Sequence, residues 1–70
     1  MSWMNNVFSS NVQQVGFDEK TGEMLVKWKN GKTSAYKGVS EEQALQVAQS
    51  ASVGQTLNAE IKPFFDHRYV

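Results

Sequence analysis

Apolar and polar positions alternate along the first half of the chain and recur at three- and four-residue spacing in the second. In "EMLVKWK" (23–29), Met24, Val26 and Trp28 fall on one side, Lys27 and Lys29 on the other. That period of two marks a strand with one buried face. "NVQQVGF" (11–17) sets Val15 and Phe17 two apart, again as a strand face requires. Between them, "DEKTG" (18–22) is turn-rich, with Gly22 able to take positive φ. Asn30-Gly31 is a strong short-range hairpin signal, and "KTSAYKGV" (32–39) returns as the next strand. These turns predict a three-stranded antiparallel meander.

The helical half opens with a capping box, Ser40 at the N-cap and Gln43 at N3. Glu41 and Glu42 occupy the first turn, where the helix dipole favours acids. Ala44, Leu45, Val47, Ala48 and Ala51 make an apolar stripe, and Gly54 is the expected stop. "LNAEIKPFF" (57–65) predicts a short helical turn capped by Asn58 and anchored by Ile61 with Phe64 or Phe65. Pro63 limits how far that turn extends upstream, because its ring clashes with the preceding turn. "DHRYV" is a candidate edge strand. The expected fold class is α+β. It comprises a three-stranded antiparallel β-meander with one packed helix and a short C-terminal helical turn, in a single domain over residues 1–70.

The hairpin admits two registers. With a two-residue Asn30-Gly31 turn, Lys29 pairs with Lys32, and Ser34 and Tyr36 share the lysine face. With a three-residue loop and a bulge at Gly31, Trp28 pairs with Lys32, and Ser34 and Tyr36 join Trp28 on the core face. A slip of one residue flips every side chain.

Seven Lys and Arg balance seven Asp and Glu over the 70 residues. A neutral chain has no global field to draw it onto polyanions. The charge is uneven, however: Lys27, Lys29, Lys32 and Lys37 lie between Met24 and Gly38 with no acid among them. Without cysteine there is no disulfide, thiol nucleophile or Cys-based zinc site. "MSWMNNVFSS" lacks the basic start and long apolar run of a signal peptide, and no apolar run of about 18 residues suggests a membrane span. The expectation is a cytoplasmic protein.

Catalytic signals are sparse. His67 is the lone histidine, and metal binding needs several ligands at suitable spacing. Ser9, Ser10, Ser34, Ser40, Ser50 and Ser52 have no histidine base at a recognisable spacing, and no phosphate-loop pattern occurs. The expectation is a non-enzymatic chain with no metal and no cofactor. Two binding surfaces compete. Lys27, Lys29, Lys32, Tyr36 and Lys37, joined by Arg68, are candidate nucleic-acid contacts: lysines for phosphates, an aromatic for a base. The same lysines also suit a solvated strand edge that resists aggregation. Trp3, Met4 and Phe8, with Met1, are candidate protein contacts.

From Phe8 to Phe65 the chain resembles the KTSC domain family, the short domain named after the C-terminus of some lysyl-tRNA synthetases. Ser9-Ser10-Asn11, Val15-Gly16-Phe17-Asp18, Gly31, Tyr36 and Gly38-Val39 match the family pattern, as do Ala51-Ser52, Gly54, Asn58 and Ile61. Residues 1–7 are then an N-terminal extension. Three positions depart: Ser34 stands where the first tyrosine of a Tyr-x-Tyr pair belongs, Ser40 replaces a proline, and Leu57 replaces an aromatic. If the tyrosine pair is a stacking platform, half of it is lost; if it is core, Ser34 needs a hydrogen bond or the bulk of Trp28. The resemblance implies RNA binding, by association with a synthetase alone. It also implies a stand-alone bacterial, phage or prophage protein. The resulting expectation is a small binding domain for RNA, or alternatively a protein-interaction module for a host or phage protein.

Overall fold

The computed structural model describes residues 2–70; Met1 lies outside them. Its elements are β1 (Trp3–Asn6), β2 (Val12–Asp18), β3 (Glu23–Trp28), β4 (Thr33–Lys37), α1 (Glu41–Gln49), α2 (Val53–Thr56) and β5 (His67–Tyr69). α2 runs directly into a wider π-helical segment, Leu57–Ile61. The α+β class holds, but the sheet has five antiparallel strands in the order β1-β2-β3-β4-β5, not three. The extra strands are short. β1 pairs Trp3 with Phe17 and Met4 with Gly16, so the N-terminal extension is the sheet's first edge. β5, the candidate edge strand of "DHRYV", pairs Tyr36 with His67 and Ser34 with Tyr69.

The hairpin adopts the three-residue register. Trp28 N–H donates to the Lys32 carbonyl at 2.8 Å, and Gly31 N–H donates to the Trp28 carbonyl at 3.0 Å. Gly31 takes φ +92°, a conformation that costs glycine little. Asn30 Oδ1 accepts from Lys32 N–H at 2.9 Å, closing the turn from its own side chain. Val26 consequently faces Ser34, and Met24 faces Tyr36. Both β4 side chains go into the core, each 1% exposed. The Trp28 indole N–H donates to Ser34 Oγ at 2.8 Å. In this chain the tyrosine-pair positions are therefore core positions, and the hydroxyl of Ser34 satisfies the half-buried indole.

The helices cover one face of the sheet. Val12, Val15, Phe17, Met24, Val26 and Tyr36 from the strands meet Ala44, Val47, Val53, Leu57 and Ile61 from the helical half. Ser40 Oγ accepts from Gln43 N–H at 3.2 Å, and Trp3 Nε1–H donates to Glu41 Oε2 at 2.9 Å, tying β1 to the start of α1. α1 stops at Ser50, earlier than Gly54, because Ser50 N–H and Oγ–H both return to the Val47 carbonyl. Ala51 is then exposed beyond the helix, Leu45 is exposed on it, and Gly54 falls inside α2. The C-terminal helical turn starts at Val53 with Ser52 preceding it, so Asn58 lies within the helical run and does not cap it. The widened turn, with Lys62 N–H bonding the Leu57 carbonyl at 2.9 Å, immediately precedes Pro63, where a regular α turn would lack a donor and clash. Ile61 is buried and Phe65 packs on the core, whereas Phe64 is exposed.

Gly16 shows why β1 can close on the sheet. A Cβ built there collides with Met4 Sδ and with the Trp3 carbonyl oxygen. Met4 can turn aside; the β1 backbone cannot. Gly16→Ala is expected to destabilise the fold by about 1–3 kcal/mol, the usual cost of overpacking. The check is urea denaturation combined with amide exchange. The exchange of residues 3–6 should accelerate more than that of β3.

Candidate functional site

The register sets Lys29 and Lys32 at the turn end of the β3–β4 hairpin. There they meet two residues from distant elements, Lys62 after the π-helical segment and Tyr69 on β5. With Asn11, Asn30 and Trp28 they line a cleft of about 400 Å³. Lys29 N–H donates to the Asn11 carbonyl at 2.9 Å, fixing one wall. Lys62 Nζ lies 5.0 Å from the centre of the Trp28 ring, and Lys32 Nζ lies 5.5 Å from the centre of the Tyr69 ring, both within cation–π range. No carboxylate side chain among the described residues lines the cleft. Among the described residues the ion pair is Glu23–Arg68, elsewhere on the sheet. Three ammonium groups and two aromatic faces thus share one concavity with no internal counter-charge. Such a site can bind an anion and stack a planar ring.

The structure separates the predicted nucleic-acid contacts. Lys29 and Lys32 are in the cleft. Lys27 is half-buried on the opposite sheet face, paired with Thr33. Lys37 is exposed at the far end of β4, about 17 Å from Lys32 at the rise of an extended strand. Tyr36 is overturned as a stacking residue: its ring lies in the core, and burial pushes its phenol above the ordinary value. Lys62 and Tyr69 stand in the cleft beside Lys29 and Lys32 instead. Neither belongs to the lysine-rich hairpin, and only the candidate strand at "DHRYV" hinted at Tyr69.

The predicted protein contacts do not form one patch. Trp3 is partly buried against the core and hydrogen-bonded to Glu41. Met4 lies over Gly16 on the other sheet face. Phe8, in the loop after β1, is fully exposed at 101%. Met1 lies outside the described residues. His67 is exposed, its ring 5.3 Å from Tyr36 and 5.5 Å from Tyr69.

Tyr69 owes its position to a tether on the sheet's outer face. Arg68 Nε–H and Nη2–H donate to Glu23 Oε2 and Oε1 at 3.1 and 2.9 Å, a bidentate grip reaching from β5 to β3. Ala35, between them on β4 and paired with Arg68, is small enough to be spanned. Glu23 is buried. The Arg68 hydrogen bonds, then that from Thr21, hold its carboxyl below the ordinary value despite a contrary push from burial.

The sequence profile of the KTSC domain matches residues 8–65, and the chain belongs to the KTSC domain family. No curated protein matches. The crystal structure of a KTSC domain protein from Yersinia pestis superposes with a TM-score of 0.87 at 23% identity, covering 100% of this chain and 99% of that one. At that identity the likeness concerns the fold.

The Glu23–Arg68 pair has a defined pH signature. The folded-state pKa of Glu23 is depressed, so its contribution is complete at neutral pH. It is lost as pH falls below the ordinary carboxylate value of about 4.3 and through the folded one. Urea midpoints measured from pH 7 to pH 3 should fall more steeply for the native chain than for Glu23→Gln. The variant should be the less stable of the two at pH 7.

Proposed function

We propose that the protein is a binding domain, without catalysis, for single-stranded nucleic acid, RNA in preference, and that the ligand's backbone enters the cleft between the hairpin end and β5. The observation that carries this reading is the convergence of Lys29, Lys32 and Lys62 with Trp28 and Tyr69, free of any lining carboxylate. Ammonium groups neutralise phosphates, and aromatic faces receive unstacked bases. A cleft of about 400 Å³ suits an unstacked nucleotide and is too small for a duplex. RNA is favoured by the family resemblance rather than by a hydroxyl-reading contact. The neutral net charge implies modest affinity, built on a local field rather than a global one.

One observation favours a second reading, a protein-interaction module. Phe8 is a fully exposed aromatic, and an apolar group of that kind can anchor a partner. A host or phage protein is the partner the family resemblance implies. This reading leaves the lysine cleft without a role and is the weaker of the two.

Labelled protein titrated with a short single-stranded RNA at low and moderate salt should shift residues 28–32, Lys62 and Tyr69, with little change at Lys37. With three phosphate contacts, the slope of log affinity against log salt should be about −2. Lys62→Ala should weaken binding and reduce that slope by roughly 0.7. Absence of shifts at low salt would overturn the nucleic-acid reading and leave the protein contact at Phe8.

A further inference from the structure

The lysine cleft does not end at Asn11. A small concavity of about 40 Å³, lined by Asn11, Trp28, Gly54, Asn58 and Lys62 among others, continues from it. That leads into a third, of about 340 Å³, bounded by Phe8, Ser10, Asn11, Ser52, Gly54 and Asn58 among others. Asn11 lines all three, Trp28 and Lys62 join the first pair, and Gly54 and Asn58 join the second. They form one groove running from Tyr69 to Phe8. Its character changes along its length. One end holds three lysines; the other holds hydroxyls and carboxamides with no charged side chain.

At the uncharged end, Ser9 is explained by the fold. Ser9 Oγ accepts from Asn11 N–H and Val12 N–H, each at 3.4 Å. A Cβ at Gly54 would meet Ser9 Oγ at 3.6 Å, an ordinary contact, so packing alone does not demand glycine there. The side chains of Ser10, Asn11, Ser52 and Asn58 are not so explained. Asn11 and Ser52 serve the fold through their carbonyls, which accept from Lys29 N–H and from Thr56 N–H and Oγ1–H. The Ser52 hydroxyl precedes a helix yet makes no capping bond. All four residues are exposed, and among the described residues none of the four side chains has a protein hydrogen-bond partner, so each is free to meet a ligand. They come from segments some forty residues apart, and all four are among the residues that carry the family resemblance.

We infer that the uncharged end of the groove, with Ser10, Asn11, Ser52 and Asn58 beside Phe8, is a nucleobase-recognition pocket, so that the protein selects among single-stranded sequences. The inference rests on the proposed binding of single strands. Phosphate contacts position a strand, and base-edge contacts distinguish sequences. A carboxamide presents a donor and an acceptor side by side, matching the edge of a base. Single strands expose those edges, and the fully exposed ring of Phe8 supplies a stacking face. A strand whose phosphates lie against Lys29, Lys32 and Lys62 would deliver its next base past Asn11 to Asn58.

The test uses the full chain and fluorescently labelled four-nucleotide RNA homopolymers of A, C and U, with affinity read by anisotropy at several salt concentrations. The native protein should separate the best from the worst homopolymer by on the order of tenfold. Asn58→Ala and Asn11→Ala, exposed positions whose backbone bonds survive, should compress that ratio toward one without changing the salt slope. Lys62→Ala should weaken all three alike and reduce the slope. If the native protein binds all three equally, or if both Asn variants keep the full ratio, the pocket is not a base reader while the nucleic-acid reading stands. If no homopolymer binds at low salt, that reading falls and this inference with it.

Discussion

The three-residue loop at the β3–β4 hairpin decides which side of the molecule is core and which is surface. Gly31 in the left-handed region opposes Trp28 to Lys32. Every pair behind it follows, Val26 with Ser34 and Met24 with Tyr36. A two-residue turn would send Tyr36 into solvent and bring Lys37 and Thr33 toward the helices. The buried face would then lose its largest fully buried side chain and acquire an ammonium group. In a domain whose stability is a few kcal/mol, on the order of 3–5, that exchange would exceed the whole margin.

The same register builds the cleft. Lys29 and Lys32 flank the loop, and both line the cleft at the hairpin end. Because Ser34 and Tyr36 point to the core, β4 offers its free edge to β5 in the pairing Ser34–Tyr69, which delivers Tyr69 beside Lys32. The Trp28–Ser34 hydrogen bond belongs to this logic as well. An indole N–H buried without a partner costs about 1–3 kcal/mol. The serine in the first tyrosine position provides that partner at 2.8 Å and leaves room for the larger indole. The departure from the family's tyrosine pair thus reaches the proposed binding surface through one residue, Trp28, whose indole Ser34 holds from the core side.

Much of this was legible in the sequence. The period of two defined β2, β3 and β4, and the capping box marked where α1 begins. Of the short elements, β5 was legible only as the candidate edge strand of "DHRYV", and β1 was not legible. β1 has four residues and β5 three, too few for a period to show; β1 is held by the strand that follows it and β5 by a strand some thirty residues earlier. The end of α1 was missed because Ser50 terminates it with side-chain and backbone bonds, a cap that composition does not announce. The lysine cluster was visible as charge, yet its geometry was not. Two of its members leave the site with the alternation of the strands, and the residues that complete the cleft, Lys62 and Tyr69, arrive through the tertiary fold.

Net charge and local charge therefore argue differently for this chain. A balance of seven against seven excludes long-range attraction to polyanions, since opposite charges beyond a Debye length of about 8 Å at physiological salt cancel in the far field. Within that length the picture reverses. Glu23 is occupied by Arg68 on the other face and Glu41 by Trp3 at the start of α1, while no acid lines the cleft. Cation–π contacts hold Lys62 and Lys32 against aromatic rings, which limits the entropy they would lose on meeting a phosphate. A protein arranged in this way would bind by contact and not by capture from a distance. Discrimination would then fall to groups at the contact itself, the role proposed for the uncharged amides of Asn11 and Asn58 that line the adjoining concavities.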